Sequence, residues 1–405
     1  MIDPILISTI IIGIFLIFWF LFLVLTILNL KKIDRLPLDG KRTIRQLPLI
    51  SVIIPTRNEA DRVENCIKTL KKQTYPKFEV IIVDDSTDNT LEVLKKLIGD
   101  DKRFKIVKQK RLPDGWVGKS FALQQASREA KGEWLLFLDA DTALHPKTVE
   151  NALYYAVKHE SDLLSLIPRL VCKTFWEKII QPIVGGLILL VCPPFLANDP
   201  KSKVAFAMGP FILIKKRVFD KVGGYTTIKD KITDDVELAR IVKRSGFKIT
   251  LINGQDALYL RMYRNFKDLW MGWSKNIFLG FTYLYNINSR ILRALIAIGG
   301  ALAIFVLISL PFFITLTSGI GVLLGFTNLL SLSIFSFSAW IATTIMQMYL
   351  HKIYKAYPKY SVASFLGGLI VSAIFLNSAV KVLTRKGVIW KGRVYYNKTP
   401  LVEKQ

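Results

Sequence analysis

Trp134-Leu-Leu-Phe-Leu-Asp139-Ala-Asp141 decides the fold. Five apolar residues without a charge read as a buried strand. Two carboxylates arrive as that strand ends, the edge at which open α/β sheets hold their ligands. One intervening residue lets Asp139 and Asp141 both face a hard divalent cation, directly or through a water, and such a cation shares its oxygen shell with substrate phosphates. Alone, Asp-x-Asp also fits a solvated strand end, so its meaning depends on the flanking chain.

Upstream, Leu49-Ile-Ser-Val-Ile-Ile-Pro55 is a β-rich run ending at a proline, followed by Thr56-Arg57-Asn58-Glu59. Ala60, Val63, Cys66, Ile67 and Leu70 then share one helix face. Phe78-Glu-Val-Ile-Ile-Val83 is a second strand that stops on Asp84-Asp85-Ser86, and Asp88-Asn89-Thr90 is an N-cap region for a helix through Leu97. Residues 104–107 give a third strand. The turn-rich Pro113-Asp-Gly-Trp-Val-Gly118-Lys119 leads into a helix over 120–130, and the opening stretch is the fourth strand. Strands alternating with helices predict a mostly parallel sheet covered on both faces, with two strands delivering acidic pairs to one edge. There is no Gly-x-x-x-x-Gly-Lys-Ser/Thr, and no Gly-x-Gly-x-x-Gly after the first strand, so neither a P-loop nor a dinucleotide fingerprint is indicated. Gly118-Lys119 reads equally as a phosphate contact or a solvated helix start.

Downstream, 162–167 and 206–214 are predicted strands. Between them, 179–198 is uncharged and long enough to span a bilayer, yet crossing one would split the site between its two sides. With Pro182, Gly185, Gly186, Pro193 and Pro194 it reads as a broken, membrane-apposed hairpin lining a lipid-facing groove, or as a buried core helix. Val222-Gly-Gly-Tyr225 is a glycine turn that admits a close backbone approach. Thr233-Asp234-Asp235-Val236-Glu237-Leu238 opens a helix, either as an ordinary threonine cap with acids in the first turn or as a carboxylate aimed into the site as a general base.

Hydrophobic residues make up 51% of the 405 residues, and mean hydropathy is +0.35. That excess calls for membrane segments. Residues 4–30 carry no charge and exceed a span's length; with Asp3 as the early charge and no cleavage-site pattern, they read as a retained anchor. Lys31, Lys32, Arg35, Lys41, Arg42 and Arg45 follow directly and put this side in the cytoplasm. The net charge of +25 fits basic borders of membrane spans better than nucleic-acid binding, for which no motif is present. Cys66, Cys172 and Cys192 have no metal-ligand spacing and suggest a reducing compartment. Residues 265–285 set Phe266, Trp270, Trp273 and Phe278 among lysines, as an interfacial helix does. Residues 294–350 are uncharged, room for two spans broken near 317–321 or 325–328, and 361–380 is a further candidate. Three spans would put the tail outside, yet it carries Lys381, Arg385, Lys386, Lys391, Arg393, Lys398 and Lys404 against Glu403. Either the last segment is re-entrant or the charge tendency fails.

Taken in order, Ile53-Ile-Pro-Thr-Arg-Asn-Glu59, Val83-Asp-Asp-Ser-Thr-Asp88, Gly118-Lys119, Asp139-Ala-Asp141, Gly223-Gly224 and Thr233-Asp234-Asp235 resemble the family 2 glycosyltransferases of GT-A fold. Leu112-Pro-Asp-Gly-Trp-Val-Gly-Lys119, Arg261-Met-Tyr-Arg264, Gly272-Trp-Ser-Lys-Asn276 and Trp390-Lys-Gly-Arg393 resemble its membrane-bound branch, which includes hopanoid-associated, carotenoid and ceramide glycosyltransferases. The resemblance covers roughly 50–280 and the tail. It implies an α/β, Rossmann-like nucleotide-binding fold with N-terminal and C-terminal transmembrane helices: an anchor at 1–31, a cytoplasmic catalytic domain at 32–264, an amphipathic interfacial helix at 265–290, transmembrane helices at 291–383 and a basic tail at 384–405.

By the same resemblance, Pro55, Arg57, Glu59, Asp84, Asp85, Lys119, Gly224 and Asp234 would contact a UDP- or GDP-sugar, with Asp84 or Asp85 on the base and ribose. Asp139 and Asp141 would hold the nucleotide and Mg2+ or Mn2+, and Asp235 would be the general base. Asp234 stands where the family has Glu. Inversion at the anomeric carbon is implied, and so is one transfer to a membrane lipid hydroxyl, because Arg261-Met-Tyr-Arg264-Asn265 lacks the tryptophan of the polymer synthases' Gln-x-x-Arg-Trp. A polyprenyl phosphate acceptor is the near rival; a catalytically silent membrane scaffold is the rival of another class.

Overall fold

The computed structural model describes residues 4–39, 46–284, 289–384, 388–390 and 393–395. The expected cations Lys41, Arg42 and Arg45, and most of the tail, lie outside the described residues. The chain begins with α1 (Pro4–Lys31), β1 (Ile50–Thr56), α2 (Val63–Lys71), β2 (Phe78–Asp84), α3 (Thr90–Ile98), β3 (Phe104–Lys108), α4 (Gly118–Glu129) and β4 (Trp134–Leu138). It continues through β5 (Thr142–Leu144), α5 (Thr148–Lys158), β6 (Leu163–Ile167), β7 (Arg169–Leu170), α6 (Phe175–Val191), α7 (Pro194–Asn198), β8 (Phe211–Lys215) and α8 (Lys216–Lys221). Then come α9 (Asp234–Arg244), β9 (Ile249–Asn253), β10 (Leu258–Leu260), α10 (Phe266–Leu284) and α11 (Arg290–Ile304). The end is α12 (Leu310–Leu323), α13 (Leu330–Ile353), α14 (Ser364–Leu383) and the hairpin β11 (Val388–Trp390) to β12 (Arg393–Tyr395). Two compact units result: residues 29–171 with 191–262, and residues 1–28 with 172–190 and 263–405.

The first unit is built on a seven-stranded sheet in the order β3-β2-β1-β4-β8-β6-β9. Its neighbours pair in parallel except where β8 runs against β4 and β6. All five residues of β4 are buried, as the apolar run predicts. Alternation sends Leu136 and Leu138 to one face with Val63, Ile67 and Leu153, and Leu135 and Phe137 to the other with Leu123, Phe219 and Leu238. A small sheet, β5-β10-β7, completes the unit.

β8 starts at Phe211, five residues later than predicted. Gly209 and Pro210 end the extended run, and the stretch before them forms a loop in which Met208 N donates to Ser165 Oγ at 2.8 Å. The chain enters α2 at Val63, with Val63, Cys66, Ile67 and Leu70 buried as the spacing predicts. At α3, Asp88 Oδ1 accepts from Thr90 N at 3.0 Å and supplies the cap.

The second unit is helical. Three runs, Arg290–Leu323, Thr327–Ile353 and Pro358–Leu383, are long and apolar enough to cross a membrane. The predicted break falls at Leu324, Gly325 and Phe326, with Gly325 in the left-handed region at φ +95°. Segment 179–198 is not a hairpin: α6 continues through Pro182 to Val191, and the chain breaks at Pro193. The buried-helix reading holds for residues 179–186. α6 packs in the helical unit, with Gly185 against the Tyr354 ring and Ile179 O against Gly367 of α14. Gln181 Oε1 accepts from Trp273 Nε1 at 3.1 Å. α14 runs antiparallel to α11: Gly300 faces the Phe375 ring, and Ser309 Oγ donates to Phe365 O at 2.8 Å. α14 therefore ends near the end of this unit at which Arg290 stands.

Candidate active site

Thr56 ends β1 opposite Asp84, which ends β2. Asp84 Oδ1 accepts from Thr56 Oγ1 at 2.8 Å and from Ser86 Oγ at 2.6 Å, and the residue is buried. Asp85 points the other way. Its side chain is 26% exposed and pairs with Arg57, whose Nη1 also donates to the Asp85 carbonyl at 3.2 Å. Asn58, at φ 53°, turns the chain; its N donates to Ser86 Oγ at 2.9 Å and its Oδ1 accepts from Thr87 N at 2.8 Å. Buried Glu59 is fixed by its N–H on Thr90 Oγ1 at 2.9 Å. Pro55 through Glu59 and Asp84 through Thr90 thus form one laced wall along the carboxyl ends of two strands.

Asp139 follows β4, the strand paired to the other side of β1. Its carbonyl accepts from Thr142 Oγ1 at 2.8 Å and lies 3.8 Å from Cys66 Sγ, which holds the Asp139–Asp141 turn against α2. Asp139, Asp141 and Glu59 each act electrostatically on the Cys66 thiol. Burial, helped by those charges, pushes that thiol up to about 12, and Cys66 is a neutral packing group.

Lys119 stands in the first turn of α4, with Nζ 2.8 Å from Asp139 Oδ1 and 3.6 Å from Asp234 Oδ2. Burial alone would pull its pKa down, but Asp139, Asp234 and Asp235 together hold it well above the usual lysine range. The acids outnumber the cation. Burial raises Asp234 to about 6, with Asp235 and Asp139 adding to the rise and Lys119 opposing it. Asp235 is raised by burial too, against Lys119 and the N–H groups of Val236 and Gly209. Those N–H groups hold both of its oxygens: Gly209 N donates to Oδ2 and Val236 N to Oδ1, each at 2.9 Å. Asp234 is the buried member of the pair and Asp235 the partly open one. Thr233 is not the cap its position suggests, because its Oγ1 is buried without a partner among the described residues.

The site's oxygen donors suit a hard cation. No group of three His, Cys, Asp or Glu side chains among the described residues could hold a metal. Asp139 and Asp141 offer carboxylate oxygens only, the donor set of a cation that completes its shell with phosphates. Lys119 faces three acids, Asp139, Asp234 and Asp235, an excess of carboxylate that a divalent cation would offset.

Most predicted site residues therefore meet along one sheet edge, with Asp139 common to the Cys66 and Lys119 groups. Gly224 is set apart. It is buried at φ 53°, and a Cβ there would lie 2.6 Å from the Phe219 ring and 2.8 Å from Gln124 Oε1. Its turn hands Tyr225 N to Gln124 Oε1 at 2.8 Å and sets the Tyr225 ring against Phe137. Gly209, Thr56 and Thr142 were not foreseen. Gly209 had a signal, a Gly-Pro pair interrupting a strand pattern, whereas the two threonines had none.

The sequence profile described as Glycosyl transferase family 2 matches residues 51–223. The chain is 27% identical over 249 residues to a 4,4'-diaponeurosporenoate glycosyltransferase of Staphylococcus haemolyticus, covering 60% of this chain and 65% of that protein. It is also 27% identical over 240 residues to the Staphylococcus aureus (strain USA300) protein of the same name, covering 57% and 61%. The chain thus spans a little under two thirds of these relatives' length. Among solved structures it is similar to a mannosyltransferase, PcManGT from Pyrobaculum calidifontis, in complex with GDP-Man and Mn2+; the TM-score is 0.53 at 18% identity, covering 94% of this chain and 97% of that one. Sheet order and these likenesses agree: residues 51–223 match the family 2 glycosyltransferase profile, and the chain shares its fold with a mannosyltransferase of known structure.

Proposed function

We propose that the enzyme moves one sugar, with inversion, from a UDP- or GDP-sugar to the hydroxyl of a membrane lipid on the cytoplasmic side. The observation that carries this reading is the meeting of Lys119, Asp139, Asp234 and Asp235 at the sheet edge, with Asp235 the less buried of the two neighbouring carboxylates. Span-length helices and relatives named for 4,4'-diaponeurosporenoate support a lipid acceptor. The domain reading stands with it: an anchor at 1–31, a catalytic domain at 32–264 and an interfacial helix at 265–290.

The nucleotide lies on the wall of Pro55, Arg57 and Glu59, where Asp85, the more exposed acid, contacts base and ribose, and Asp84 orients Thr56 and Ser86. Asp139 and Asp141 would hold Mg2+ or Mn2+, which when bound supplies positive charge to the leaving diphosphate. Lys119 adds fixed charge at the same place, and Asp234 keeps it aimed. Asp235, its oxygens set by Gly209 and Val236, takes the acceptor's proton as the hydroxyl attacks the anomeric carbon from the face opposite the diphosphate. Purified protein offered a panel of nucleotide sugars and a total lipid extract, with and without a chelator, should yield a lipid heavier by one sugar. No product with any donor would overturn the reading. A product that survives Asp235→Asn and contains a polyprenyl phosphate would favour the rival acceptor, which needs no base.

A further inference from the structure

Three segments far apart in sequence meet on one surface of the helical unit. The Phe175 and Tyr360 ring centres are 6.1 Å apart, those of Trp176 and Phe266 5.2 Å, and those of Tyr357 and Tyr360 6.3 Å. Phe175, Phe266 and Tyr357 are exposed there, Tyr357 by half. Lysines stand among them. Lys178 Nζ is 4.8 Å from the Tyr357 ring centre, 4.7 Å from that of Tyr360 and 3.3 Å from Tyr360 Oη. Lys359 Nζ stacks on the same Tyr360 ring at 5.6 Å.

Two ammonium groups on one ring repel each other, and neither has a carboxylate partner among the described residues. The acid nearest in sequence is turned inward: Glu177 is buried, accepting from Thr174 Oγ1 at 2.7 Å and Lys173 N at 2.9 Å. Lys173, Lys267 and Lys352 are exposed on the same three segments. Asp268, the acid on the Phe266 segment, accepts from Asn265 Nδ2 at 3.1 Å and pairs with neither Lys178 nor Lys359, so among the described residues these two ammonium groups lack a carboxylate, while the rings around them provide the amphipathic face that settles at the headgroup level of a bilayer. Exposed Phe175 and Phe266 favour an anion that carries acyl chains over a free, strongly hydrated phosphate.

We propose that Lys178 and Lys359, stacked on Tyr360, form a binding site for the headgroup of an anionic phospholipid. The site is independent of the transfer reaction and serves to seat this surface in the bilayer. Native mass spectrometry of the full-length protein, offered phosphatidylglycerol and phosphatidylcholine in competition, tests it. The expected result is preferential retention of phosphatidylglycerol, weakened about fivefold by Lys178→Gln and again by Lys359→Gln. Lys95→Gln on α3 should leave it unchanged. Equal retention of the two lipids by the wild type would overturn the proposal, as would full retention by a folded double variant. Inorganic phosphate should fail to displace the lipid; displacement would make this an anion site without lipid selectivity and defeat the assignment. If the double variant did not fold, the wild-type preference and the phosphate competition would still decide.

Discussion

The two units place the same kinds of residue in opposite ways. Among the described residues, the exposed large hydrophobics lie in the helical unit except for Leu47, Leu91 and Val157. The sheet unit buries its apolar residues on both faces of the strands and brings Asp84, Asp139, Asp234 and Asp235 to one edge. The helical unit turns Leu316, Ile320, Leu323 and Leu324 outward, which is stable in lipid and costly in water. One sequence thus specifies two solvents, and the change from strand-helix alternation to uncharged helical runs marks where one environment gives way to the other.

The largest expected effect breaks that contrast directly. Phe137→Ala, in the middle of β4 and buried, should cost about 3–5 kcal/mol by denaturant unfolding, because three aromatic rings lose their common contact. Leu323→Ala, at a position 88% exposed, should change stability by no more than about 0.5 kcal/mol in lipid nanodiscs. Equal losses would mean that the outer face of α12 packs against protein rather than lipid.

A smaller effect concerns the sheet edge alone. A Cβ on Gly209 would stand 3.0 Å from Asp235 Oδ2, tighter than ordinary contact. Gly209→Ala should therefore lower kcat by about tenfold to a hundredfold while donor affinity holds, measured by steady-state transfer and calorimetric donor titration. A parallel loss of donor affinity would place Gly209 on the donor instead.

The smallest effect is one of pH. Asp234 titrates higher in the folded protein than in the unfolded chain, so its contribution to stability is complete below the ordinary carboxylate range and is lost as pH rises through about 6. Asp234→Asn should remove that dependence, so its melting temperature should gain on the wild type's between about pH 4 and 6 and stay ahead above it. Asp235 is raised as well, so the acid limb of activity should lie above the ordinary aspartate range. Parallel melting curves for the wild type and Asp234→Asn would sink this electrostatic reading.

How much was legible follows the range of the interactions. The strands around Ile53, Val80 and Leu136 and the acids at their ends are written locally, in apolar runs that stop on carboxylates. α5 is absent from the expectations although Val149, Ala152, Leu153 and Ala156 fall on one face, and β5, β7 and β10 are too short to carry a pattern. The pairing of Lys119 with Asp139, the N–H of Gly209 on Asp235 and the burial of α6 among α13 and α14 depend on residues far apart in sequence. Composition alone left 179–198 with two readings, a broken hairpin or a buried helix, since an uncharged run looks the same in both.

The most direct measurement compares donor binding and sugar transfer in Asp235→Asn. The substitution keeps the shape and removes the base. Donor affinity should match the wild type, while kcat should fall by about a hundredfold to ten-thousandfold. Transfer at the wild-type rate, with product confirmed as a lipid glycoside, would contradict the assignment of Asp235 and the mechanism built on it.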